Sequence, residues 1–99
     1  MDCRNEKQHT IIICNHRLNL DSIKAQKDAL TRALIAKLPI LFHASNVVQA
    51  DTASLQLLST FALAASQKNI SWEWKEPSFS LIHAANLLGV RELLRLPEK

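Results

Sequence analysis

Two periods govern where apolar residues fall along this chain. Thr10-Ile11-Ile12-Ile13-Cys14 is an unbroken run rich in β-branched residues. It predicts a strand over about 9–14, and its continuity implies burial on both faces, as in a helix-covered sheet. Leu18 and Leu20 alternate with polar neighbours, so 15–19 either extends this strand or turns. The period then changes. Ile23, Leu30, Ala33, Leu34 and Leu38 share one helical stripe, while Lys24, Lys27, Asp28, Thr31 and Arg32 face away. This predicts a helix over 22–38 with Asp21 or Ser22 as its N-cap, stopped by Pro39.

Ile40-Leu41-Phe42-His43-Ala44 reads as a second strand, over 40–44. A connector follows, with Val47 and Val48 expected to pack beneath it. The next helix spans 52–68, with Leu55, Leu58, Ala62 and Ala65 inward and Gln56, Ser59, Thr60 and Gln67 outward. A third strand over 70–74 places Ile70, Trp72 and Trp74 on one face, where packing against a helix is the usual use of large aromatics. Ser78 caps a helix over 78–88 whose apolar face is read as Phe79, Ile82, Ala85 or Asn86, and Leu87-Leu88. Gly89, the single glycine in the chain, stands where a helix end needs a positive φ. Val90 to Leu96 reads as a short amphipathic helical turn.

Strands alternating with helices predict an α/β domain with parallel crossovers. The 99 residues allow one domain, over 9–97, behind a polar leader at 1–8 that is expected to be flexible. Hydrophobic residues make up 47% and charged residues 21%, the balance of an ordinary globular domain. The net charge of +3 is spread from Arg4 to Lys99 without a run, and only five residues are aromatic. That is not the footprint of a nucleic-acid binder. The leader has no apolar stretch, and no apolar run approaches the ~20 residues of a membrane span. Cys3 and Cys14 form no C-x-x-C pair, and Cys14 reads as a small buried hydrophobe. A cytoplasmic location is therefore expected.

His9, His16, His43 and His83 lack the spacing of a metal site, and no metal or other cofactor is expected. One glycine cannot build a phosphate loop or a nucleophile elbow. An enzyme is not expected. The informative segment is Asp51-Thr52, where a loop after a strand enters a helix. One reading is an N-cap. The other is a phosphorylation switch: a phosphate adds about −1.5 to −2 charges at pH 7, at a helix end whose free amides tolerate it. The face beyond Thr52, with Ala53, Gln56, Ser59 and Thr60, is small and uncharged.

The stretch ILFHASNVVQADTASLQLLSTFALAA, from Ile40 to Ala65, resembles STAS domains, in which such a strand leads to an Asp-Ser/Thr-x-Gly-Leu motif. SWEWKEPSFSLIHAANLLGVRELLRL is similar to the family's last strand, its Pro-Ser helix start and its closing segment. LNLDSIKAQKDALTRAL is similar to its first helix. Together these cover about Thr10 to Leu96. The likeness is to the free-standing anti-sigma factor antagonist type. It implies the STAS fold: a mostly parallel four-stranded sheet with helices packed largely on one face, and an antiparallel pair at the first strand. It also implies a regulatory module that binds an anti-sigma-type serine/threonine kinase or signalling switch protein, as a monomer or weak dimer. The matching phosphorylation position is Thr52. Ser54, which replaces the motif glycine, is the alternative. The partner-binding set implied is Asp51, Thr52, Ala53, Ser54, Gln56, Ser59 and Thr60. A second function found in the family is a subunit bracing the ATPase of a lipid-transport ABC complex. A small-ligand sensor is a third reading, on fold analogy alone.

Overall fold

The computed structural model describes residues 1–98. Its main sheet has four strands: β1 (Asp2–Asn5), β2 (Thr10–Ile13), β4 (Ile40–His43) and β6 (Trp72–Lys75), in the order β1-β2-β4-β6. β1 is antiparallel to β2, and the other neighbours are parallel. A small parallel pair, β3 (Arg17–Leu18) and β5 (Gln49–Ala50), stands apart. The helices are α1 (Ile23–Ala36), α2 (Thr52–Gln67), α3 (Phe79–Leu88) and α4 (Arg91–Leu94).

The expected leader is corrected by this arrangement. Residues 2–5 form an edge strand, Met1 is buried, and its amino group donates to the Asn15 side-chain oxygen. Lys7 and Gln8 make the tight turn into β2, closed by Glu6 N–H donating to His9 O at 2.8 Å.

The helices cover one face of the sheet. Side chains alternate along a strand, so each strand splits its residues between two environments. Thr10, Ile12, Ile40, Phe42 and Trp72 are buried on the covered side. There the Phe42 and Trp74 rings stack at 4.3 Å, and Phe61 of α2 meets Phe42 edge-on at 5.6 Å. Both tryptophans are anchored to α4: Trp72 Nε1 and Trp74 Nε1 donate to Leu94 O at 2.9 and 2.7 Å. The Arg95 guanidinium lies 4.0 Å from the Trp72 ring. Ile11 and Ile13 point the other way and are half-buried, so the β2 run is covered on one face, not two.

The start of α1 departs from expectation. A 3₁₀ turn over Leu20–Ser22 precedes it, and neither Asp21 nor Ser22 caps with its side chain. Gln26 does the latching. Fully buried, it donates from Nε2 to Asn19 O at 3.1 Å and to Ser22 Oγ at 3.0 Å. Val47 is buried as expected, whereas Val48 is exposed. Gly89 ends α3 at φ 80°, a left-handed conformation that side chains with a Cβ resist.

Leu58 lies on α2 with no exposed surface. Leu58→Ala should lower unfolding stability by about 2–5 kcal/mol, read by urea titration, because the core can only partly collapse around the lost volume.

Candidate functional site

α1, α2 and α3 all begin beyond the carboxyl ends of parallel strands, so their first residues gather at one edge of the sheet. Asp51 joins two of these starts. Its Oδ1 accepts from Ser54 N–H at 2.9 Å, capping α2. Its Oδ2 accepts from Leu20 N–H at 2.8 Å, reaching the entrance of α1. Its own N–H donates to Leu18 O at 2.9 Å, next to the β3–β5 pairing. Partial burial pushes the Asp51 carboxyl up. The donors at Ser54 and Leu20 pull it down and win, leaving it below its ordinary value. The Ser54 hydroxyl is near enough to add to this, but it makes no hydrogen bond of proper geometry.

Thr52, the first residue of α2, is exposed. It stands on the rim of a groove of about 320 Å³ floored by Ala50, Leu55 and Ala84 and bounded by Leu87 and Leu88. Of the face predicted beyond it, Gln56 and Thr60 are exposed and Ala53 and Ser59 are half-buried. The Ser59 and Thr60 hydroxyls donate back to their own helix, to Leu55 O at 2.8 Å and Gln56 O at 3.1 Å. This leaves that face with little polar demand on a partner.

Ser54 is the exception. It has no exposed surface, and its Oγ lacks a hydrogen-bond partner among the described residues. It therefore contributes nothing to a binding surface, and a kinase cannot reach it in this conformation. The reason is helical phase: Ser54 and Leu55 turn inward together, leaving Thr52 and Gln56 outside.

The sequence reading missed the apolar part of the site. Phe79 and Leu87, assigned there to the core face of α3, are 71% and 77% exposed, and Leu88 is partly exposed. Leu81, Ile82 and Ala85 fill the core instead. Phe79, His83 and Leu87, four residues apart, form an outward ridge on which the Phe79 and His83 rings lie nearly parallel, 6.4 Å apart. Leu20, whose N–H reaches Asp51, is 64% exposed. The segment FSLIHAANLL holds two interleaved apolar stripes, and that doubling was the available signal.

Neither cysteine belongs to the site. Burial pushes the Cys14 thiol up to about 12, and desolvation raises Cys3 against the pull of Arg32. Among the described residues no three His, Cys, Asp or Glu side chains gather to hold a metal, and no helix is long and apolar enough to cross a membrane.

Asp51→Ala should cost about 0.5–2 kcal/mol at pH 7, the usual worth of an N-cap. Folding lowers this carboxyl's pKa, so its stabilisation is present above the unfolded carboxylate value, about 3.9. It is lost as pH falls through the lower folded value. Urea titrations of both proteins at neutral and acid pH should therefore show the gap closing in acid. A gap of constant size would mean the carboxylate charge is not what the cap uses.

The structure of the protein TM1081, solved by NMR, is similar to this chain with a TM-score of 0.76 at 15% identity, over 98% of this chain and 79% of that one. No family model matches the sequence. No curated protein matches it either. Identity this low speaks for the fold alone. The chain has a compact α/β fold with a mixed, mostly parallel four-stranded sheet that TM1081 shares.

Proposed function

We propose that this chain is a STAS-type regulatory module that binds an anti-sigma-type serine/threonine kinase or a related switch protein, and that phosphorylation of Thr52 releases it. The observation that carries this is the position of Thr52. It is exposed, follows the capping Asp51, and borders a groove edged by exposed Leu87 and Leu88. The resemblance of Ile40–Ala65 to the family's phosphorylated motif supports the same residue.

The physics of the switch is simple. Exposed apolar side chains rimmed by polar ones are the usual make-up of a protein-binding patch. Leu20, Leu87, Leu88 and Phe79 supply the apolar part. A phosphate on Thr52 sets about two negative charges at its edge. The free amides at the start of α2 accommodate that charge, so the fold persists. A partner pressing on the groove would have to desolvate it, at a cost of several kcal/mol for an unpaired buried charge.

Thr52→Glu should weaken binding of the kinase in a pull-down while leaving the far-ultraviolet circular dichroism spectrum unchanged. Thr52→Ala should bind and escape regulation. Mass spectrometry after incubation with that kinase and ATP should place phosphate on Thr52. Absence of phosphate, together with full binding by Thr52→Glu, would reject the switch and favour the transporter-subunit function.

A further inference from the structure

The uncovered face of the sheet carries a pattern that the Thr52 site does not use. Paired residues share a face, so the register sets two rows across it. One row is Asp2, Ile13, His43 and Lys75, and the next is Arg4, Ile11, Leu41 and Glu73. The central residues of both rows are half-buried, and the four charged ends are exposed. Ile11, Ile13 and Leu41 thus form an aliphatic centre on a side no helix covers among the described residues. A solvated sheet face normally carries polar side chains.

We infer that this face binds a second copy of the same chain, sheet against sheet. The charge pattern names the occupant. Asp2 and Lys75 end one row as minus and plus, while Arg4 and Glu73 end the other as plus and minus. A two-fold axis lying between the sheets and along the strands sets Asp2 over the second copy's Lys75 and Arg4 over its Glu73. An axis across the strands sets Asp2 over the second copy's Arg4 and Lys75 over its Glu73. In both cases every corner meets its opposite; in the centre the first axis sets Ile11 over Leu41 and Ile13 over His43, and the second sets Ile11 over Ile13 and Leu41 over His43. Both also keep the strands of the two sheets aligned, the common way for sheets to stack. A face that is its own complement under a two-fold axis is what an isologous dimer requires.

The patch is small. Four strands about 4.8 Å apart and four residues rising about 3.3 Å each give on the order of 250 Å². A standard interface takes roughly 800 Å² per partner. The dimer is therefore weak and concentration-dependent. It leaves Thr52 free, and it holds whether or not Thr52 is a switch.

The test is sedimentation velocity across a micromolar-to-millimolar series. Glu73→Lys sets like charges opposite each other under either axis and should weaken the dimer about tenfold or more. Arg4→Glu combined with Glu73→Lys restores it if the axis runs along the strands. Glu73→Lys combined with Lys75→Glu restores it if the axis runs across them. All three positions are exposed, and unchanged melting temperatures will confirm that the variants fold. A monomer throughout the series, a dimer indifferent to Glu73→Lys, or a loss that neither double variant repairs would overturn the inference.

Discussion

Both helical crossovers step the same way across the sheet, and the rest of the structure depends on that. β2 leads through α1 to β4, and β4 leads through α2 to β6, with the three strands side by side in that order. Parallel crossovers are right-handed with few exceptions, so two steps in one direction put both helices on one face. The alternation of side chains then sorts every strand residue. Ile12, Phe42 and Trp72 become core. Ile11, Leu41 and Glu73 become surface. A chain of this composition can close one such core, and the opposite face stays open.

The same constraint makes the edge that carries the candidate site. Helices that follow parallel strands must all start at the strands' carboxyl ends, so three helix starts converge there. The chain ties two of them with one carboxylate. Asp51 satisfies a free amide of α2 with one oxygen and the entrance of α1 with the other. Thr52 is thereby held at a fixed place beside the groove, its side chain outside while Ser54 turns in. A rigid mount suits the switch proposed for Thr52, because an added charge would then appear at one point of the surface.

The alternation of the main strands and helices was legible in the sequence because the apolar periods of β2, α1, β4 and α2 stand out. α2 shows it well: Leu55, Leu58, Ala62 and Ala65 are buried as their spacing predicts, and Asp51 caps the helix. Four things were hidden, each for a physical reason. β1 is short and polar because it is an edge strand, so it reads as a leader, and only pairing with β2 makes it a strand. The Ile11–Ile13 run looks doubly buried because hydrophobicity along a chain does not say which face is covered. In α3 two apolar stripes compete, and tertiary contact with the sheet side chose Leu81, Ile82 and Ala85 over Phe79 and Leu87. The buried Gln26 latch was equally invisible, since glutamine on a helix ordinarily faces water.

The central claim is that partners are read at the convergent helix starts. The most direct measurement is a backbone amide NMR titration of this chain with the anti-sigma-type kinase. The account predicts that Leu20, Thr52, Ala53, Leu87 and Leu88 shift or broaden together, while the outward face of α1, including Lys24 and Asp28, stays still. Perturbations confined to the outward face of α1 or to the open sheet face, with Thr52 and Leu87 unmoved, would contradict it.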